Sequence, residues 1–267
     1  MTLQIPPLKK LLCVQNPGDN FKITLRDGIA IGEPGPGEIL VKLNCTGICH
    51  SEVRAGLGWG TYNSIIGHEG IGTVVQAGSN AFPIPLNQRG SKMALQSLHR
   101  GYTQACAKQL STGRDVPGTL QQYYVVADAR FVTRIPDRLP DEVAAPLLCA
   151  GLTMANALAP LENEPRPGNW IAISGSGGGL GHTGVQLAAR ARKLRVIAID
   201  REAKRELSFK SGAEAFIDFK AEDVAARVLE LTGGGAHATI VVPGEKEAFK
   251  TAPALVRNMG HILTTVS

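Results

Sequence analysis

The sequence predicts an α/β fold in two parts, a β-rich part followed by a doubly wound parallel sheet. Three observations predict it. Short strand-like runs broken by Gly and Pro fill the chain up to about residue 155. Beyond that point β-branched runs alternate with helical stretches, the pattern of a parallel sheet covered by helices. Within this second part, the strand-like run Trp170–Ser174 enters the turn Gly175-Ser-Gly-Gly-Gly-Leu-Gly181, and a second run, Arg195–Asp200, ends on an acid. The expected domains are 1–155 and 156–267.

Composition agrees with a folded chain. Its 267 residues are 43% hydrophobic and 19% charged, which excludes a disordered protein. The five cysteines are odd in number and irregularly spaced, so they fit a reduced cytoplasmic protein better than a disulfide scaffold. Met1–Lys10 lacks the apolar run of a signal peptide. The net charge of +5 is small, and its densest basic run, Arg190, Arg192, Lys193 and Arg195, falls where a helix should end. Cations there complement the helix dipole, so no nucleic-acid partner is expected.

In the first part, Glu38–Asn44 alternates polar and apolar residues, Gly70–Gln76 is β-branched, and Gln122–Ala127 is a further strand candidate. Val143–Leu161 carries no charge over nearly the length of a membrane span. Pro146, Gly151, Asn156 and Pro160 interrupt it, and buried core rather than membrane is expected. In the second part, strands are expected at Trp170–Ser174, Arg195–Asp200, Ala215–Phe219, His237–Val242 and His261–Val266. The helix between the first two, Gly181–Lys193, spaces Val185, Ala188, Ala189 and Arg192 on one face.

Strand, glycine turn, helix, strand and acid follow one another at the distances a dinucleotide-binding unit requires. A helix starting near Gly179 aims free N–H groups and its positive dipole end at a pyrophosphate. Gly177, Gly178, Gly179 and Gly181 are the expected close-approach positions, and Ser176 stands where a strict glycine fingerprint would begin. Asp200, nineteen residues after Gly181, can accept the adenosine ribose hydroxyls. Its charge favours NAD over NADP, although the neighbouring Arg201 could accept a 2′-phosphate.

Cys49, His68 and Cys149 are potential ligands for zinc, which three protein groups would hold with a fourth position open. Residue types alone leave a second reading open, in which the cysteines are small buried hydrophobes and the histidine a turn residue. The surrounding phrases Gly47-Ile-Cys49-His50-Ser51, Gly67-His68-Glu69-Gly70-Ile-Gly72 and Leu148-Cys149-Ala150-Gly151 resemble, in order and spacing, the ligand segments of zinc-dependent alcohol dehydrogenases of the medium-chain superfamily, particularly fungal ones. Gln121-Gln122-Tyr123 and the segment from Ile173 to Gly181 extend the resemblance over nearly the whole chain.

The resemblance implies a GroES-like catalytic domain before a Rossmann domain, and reversible oxidation of a small-molecule alcohol to an aldehyde or ketone. It makes Cys49, His68 and Cys149 ligands of one catalytic zinc, with Glu69 beside it. It makes Ser51 the first step of a proton relay through the cofactor ribose, and His50 a pyrophosphate contact. Leu57 and Trp59 are candidates to line the substrate pocket.

The departures from that pattern are also expectations. Arg54 stands where many relatives end the relay with histidine, and it cannot accept a proton. Glu52 stands where aspartate is usual, and its extra methylene is expected to disturb ligand orientation. Between Phe82 and Gln121 only Cys106 remains of the usual four structural-zinc cysteines, and His99 does not replace them, so Arg89–Gly118 is expected as a metal-free loop. Relatives continue past the fifth sheet strand, so the Rossmann domain is expected to be incomplete, with its last strand an exposed edge and the usual subunit pairing in doubt. Two alternatives stay open: a non-catalytic paralogue that binds nucleotide, and a zinc-free NADPH-dependent reductase, with a fungal secondary-metabolic role conceivable.

Overall fold

The computed structural model describes residues 4–81, 89–92, 110–161 and 165–265. It divides into two compact units, Met1–Cys149 and Ala150–Ser267.

In the first unit, β1 (Leu8–Gln15) and β2 (Lys22–Ala30) form an antiparallel ribbon. β3 (Ile39–Thr46), β4 (Gly70–Ala77), β5 (Arg89–Lys92), β6 (Tyr123–Val126) and β7 (Val132–Arg134) form a second sheet in the order β6-β3-β4-β5-β7. Helix α1 (His50–Gly56) leaves β3, and α2 (Asp141–Ala144) begins the segment that leads to Cys149. Ile39, Val41, Val74, Tyr124 and Val126 fill the core of this sheet.

The strands β3, β4 and β6 match the expected runs within two residues at each end. The ribbon was not expected from the sequence. Leu8, Ile23 and Leu25 remain exposed on it, so its residues do not alternate as a half-buried strand should. Arg89–Lys92 is a strand within the expected loop, whereas His99 and Cys106 lie outside the described residues.

The second unit begins with α3 (Ala150–Leu158) and holds a parallel sheet ordered β10-β9-β8-β11-β12. Its strands are β8 (Trp170–Ser174), β9 (Arg195–Asp200), β10 (Ala215–Asp218), β11 (Ala236–Val241) and β12 (Val256–Thr264). The continuous apolar sequences of β8 and β9 follow from burial on both faces, whereas β12 is largely exposed. Ile171, Ile173, Val196 and Ala198 pack on one side with Met154 and Val185, while Trp170, Ala172, Ile197 and Ile199 pack on the other with Ile217 and Val228.

Helix α4 (Gly179–Gln186) starts where the glycine turn predicts, then widens into a π-helical turn at Leu187–Ala191. Helices α5 (Arg205–Ser211), α6 (Val224–Thr232) and α7 (Lys246–Leu255) link the later strands. β12 lies at the sheet edge, and only its His261–Thr264 portion continues the regular pairing with β11. Between Val256 and His261 the chain bulges outward, and Met259 sits there at φ 63°, 97% exposed.

The three arginines of the basic run have structural partners. Arg190 and Arg192 donate to the carbonyls of Lys210 and Leu158, and Arg195 pairs with Glu214 while stacking on Trp170. Val143–Leu161 is only partly the buried core expected of it. Met154, Leu158 and Leu161 are buried, but Val143, Leu147 and Leu152 are exposed, because two short helices present different faces. Among the described residues no single helix is long and apolar enough to cross a membrane.

Candidate active site

Cys49 is the residue before α1, held in an extended conformation, so its sulfur projects from the helix start. His68 and Glu69 lie on the strap that enters β4, and this strap is tightly clamped. Gly67 has φ +103°, and a Cβ on it would lie 2.8 Å from Thr119 Oγ1 and 3.0 Å from Leu120 N. The backbone N–H groups of Thr119 and Leu120 donate to the carbonyls of Gly67 and Ile66 at 2.9 and 3.0 Å. Cys149 follows the short 3-10 turn Ala145–Leu148. Potential ligand atoms of Cys49, His68, Glu69 and Cys149 all lie within 4.8 Å of one another. Positions up to 100 residues apart are thus gathered into one site, and the reading of these groups as scattered core residues does not describe it.

Glu52 orders this cluster. Its Oε1 accepts from His68 Nδ1 at 2.7 Å, and its Oε2 accepts from the Cys49 backbone N–H at 2.7 Å. The first contact fixes the imidazole with Nδ1 protonated and leaves Nε2 for a ligand, as metal-bound histidines are commonly oriented. The second is the reach-back half of a capping box on α1. The expected disturbance from the extra methylene is therefore corrected: the longer carboxylate spans both partners. The spacing Cys49-x-x-Glu52 carried that signal, as a helix start followed by an acid at the third helical position. Changing Glu52 to Gln is expected to weaken zinc binding about 10- to 100-fold in a chelator competition. Unchanged affinity would show that neither contact matters to the ligands.

Electrostatics follow from the close packing. The hydrogen bond from the Cys149 thiol holds the Cys49 sulfur well below the usual thiol range, against the effect of burial. Cys149 is pushed the opposite way, first by that same bond and then by burial. Burial alone would lower His68, but hydrogen bonds to Cys49 and Glu52 outweigh it and raise the imidazole to about 10. Burial raises Glu69 to about 7. Gly47 makes room for this carboxylate, since a Cβ there would come 1.8 Å from Glu69 Oε2. These groups offer soft and borderline donors around one point, where a cation would compete with the protons on Cys149 and His68.

Ser51 Oγ lies 3.7 Å from Cys49 Sγ, and His50 is exposed at the first residue of α1. Leu57 is half-buried at the end of that helix, whereas Trp59 is 61% exposed.

In the second unit, a groove of about 500 Å³ lies at the carboxyl ends of β8, β9, β10 and β11, lined among others by Ser174, Gly175, Asp200, Arg201, Lys220 and Pro243. Such crevices, where the strand order reverses, are the usual ligand sites of open parallel sheets. Asp200 is 9% exposed; its Oδ2 accepts from Gly177 N–H and its Oδ1 from Arg201 N–H, both at 2.8 Å. The acid therefore braces the turn, and each oxygen keeps a lone pair.

The glycines divide by cause. Gly175 has φ +73°, a position the sequence reading passed over. A Cβ on Gly177 would meet the Lys204 side chain at 2.5 Å, and one on Gly181 would meet Gly175 O at 1.9 Å. Gly178 and Gly179 are not required by packing: a Cβ on the first makes an ordinary 3.5 Å contact, and one on the second meets nothing within 4 Å. Ser176 is fully buried, with its hydroxyl 2.9 Å from that of Ser208.

Comparison with known proteins agrees with both halves. Residues 35–137 match the alcohol dehydrogenase GroES-like domain, and residues 179–265 match the zinc-binding dehydrogenase domain. Alcohol dehydrogenase 2 of Emericella nidulans is 38% identical over 97% of this chain and 76% of its own length. The solved structure of acetophenone reductase from Geotrichum candidum, in complex with NAD, superposes with TM-score 0.79 at 25% identity, over 97% of this chain and 75% of the other. A Sinorhizobium meliloti structure, described as a zinc-binding dehydrogenase and bound to NADP, superposes with TM-score 0.83 at 27% identity, over 96% and 76%. The chain belongs to the zinc-type alcohol dehydrogenase family of the medium-chain superfamily, and is an alcohol dehydrogenase-like oxidoreductase.

Proposed function

We propose that the chain reversibly oxidises an alcohol to an aldehyde or ketone, with one zinc held by Cys49, His68 and Cys149 and with NAD held at the Gly177–Gly181 turn. The first unit would carry the metal and the second the dinucleotide. The observation that carries this reading is the donor cluster, two sulfurs, an imidazole nitrogen and a carboxylate within 4.8 Å, with Glu52 on the far nitrogen of the imidazole. When bound, zinc supplies Lewis acidity toward the alcohol oxygen, and the nicotinamide supplies a hydride acceptor.

The chain's own groups do the rest. Ser51 stands by the ligand sulfur and takes up the alcohol proton, which Arg54 cannot accept in turn, so the proton leaves Ser51 toward the ribose or solvent. Glu69 is a fourth protein donor beside the three ligands. The open space at Gly178 and Gly179, at the start of α4, suits the close approach of a pyrophosphate.

Asp200 supports NAD, because its carboxylate would face a 2′-phosphate. NADP is favoured by a separate observation, that Arg201 and Lys220 line the same groove. Changing Asp200 to Ser is expected to shift the ratio of kcat/KM for NADP over NAD upward about tenfold, as loss of one charge contact of about 1.4 kcal/mol implies. A ratio that stays put would place the choice elsewhere.

The test of the whole reading is zinc content per chain together with oxidation of primary and secondary alcohols, followed by reduced-nicotinamide absorbance. One zinc with turnover is expected. Folded protein without zinc would point to a zinc-free reductase, and zinc without turnover to a non-catalytic nucleotide binder.

A further inference from the structure

Several arginines elsewhere in the described chain pair with carboxylates. Arg114, Arg130, Arg195 and Arg227 pair with Asp115, Asp128, Glu214 and Glu222. Arg54 differs. Its Nε is buried without a hydrogen-bond partner, and among the described residues no carboxylate pairs with it. The acid on its own helix, Glu52, is already engaged with His68 and Cys49. A guanidinium does not lose its proton in proteins, and although Arg54 as a whole is half-buried, its Nε has neither solvent contact nor an acceptor, which is costly. An acceptor from outside the chain resolves the cost.

The position indicates which acceptor. Arg54 lies three residues beyond Ser51 on α1, a spacing that puts both on the same helix face. Ser51 in turn lies 3.7 Å from the Cys49 sulfur. Three residues rise roughly 4.5 Å along a helix axis, so Arg54 stands one turn on from the hydroxyl that serves the alcohol. We infer that Arg54 is an anion-recognition residue of the alcohol site, suited to a substrate whose carboxylate lies several bonds from its hydroxyl. This rests on the alcohol dehydrogenase reading above. The substrate class it fits is an ω-hydroxy acid. The planar guanidinium matches both carboxylate oxygens, which a lysine would meet as a point charge only.

The test titrates zinc-loaded wild type, R54Q and R54K with 6-hydroxyhexanoate and with hexan-1-ol. Zinc content and NADH affinity of the same preparations report separately on the parent reading. Wild type is expected to bind the hydroxy acid about tenfold or more tightly than the alcohol, the gain of one charge-assisted contact. That preference should vanish in R54Q and return in part in R54K. Equal binding of the two probes by wild type, or a preference that survives R54Q, overturns the proposal. So does a loss confined to NADH affinity in R54Q, which would make the anion a nucleotide phosphate instead.

Discussion

Changing Cys149 to Ser is expected to take zinc from one per chain to a small fraction, and kcat/KM for alcohol oxidation down by about a thousandfold. The magnitude comes from losing several kcal/mol of charge stabilisation at the alcohol oxygen, at about 1.4 kcal/mol per decade of rate. Serine offers a hard, protonated oxygen in place of a thiolate, so of the three proposed ligands only Cys49 and His68 remain, with the Glu69 carboxylate a harder substitute for the lost sulfur. The effect on folding should be smaller, because Cys149 lies between two short helices rather than within a packed core. The control is Cys13 to Ser. That sulfur is buried, more so than that of Cys149, but it lies 3.7 Å from the Thr24 carbonyl on the β1–β2 ribbon, and zinc should be retained. Metal analysis of both variants, beside a melting curve, separates ligand loss from misfolding. A Cys149 variant with full zinc and full turnover would remove the catalytic-metal reading.

The same residues show how far the sequence could be read. Trp170–Ser174 and Arg195–Asp200 were legible to the residue, because strands buried on both faces must be apolar throughout and their ends are marked by glycine and by acid. The β1–β2 ribbon was not legible, since exposed Leu8, Ile23 and Leu25 carry no alternation to read. At the site, residue types and spacing left Cys49, His68 and Cys149 ambiguous. Only the surrounding phrases, and then the geometry, distinguished a cluster from scattered core.

Glu52 shows a different limit. Its position was visible, but the sign of its effect was not, because a methylene that looks excessive for one partner is what allows it to reach two. Gly47 was quoted only as part of a phrase. The reason for it, room for the Glu69 carboxylate, depends on a residue twenty-two positions away and has no local signature.

The glycine turn separates folding from binding in a way that paired substitutions can measure. Alanine at Gly181 would place a Cβ 1.9 Å from Gly175 O and 2.7 Å from Ser176 Cα, both backbone atoms that no rotamer change can move. The better helix propensity of alanine offsets at most about 1 kcal/mol. Overpacking of this kind costs about 1–3 kcal/mol or more, so the clash prevails. The G181A variant should melt lower and bind NADH weakly, because the turn that Asp200 braces is displaced. Alanine at Gly179 meets nothing within 4 Å, and its backbone is already helical. That variant should be as stable as wild type or slightly more so, yet lose about tenfold or more in NADH affinity if the pyrophosphate occupies that space, since a methyl group cannot share it with a phosphate oxygen. Calorimetric melting and NADH fluorescence titration of the two variants give four numbers. If G179A binds NADH as wild type does, the space at the start of α4 is not where the cofactor's phosphates lie, and the dinucleotide site must be drawn around Asp200 and the groove alone.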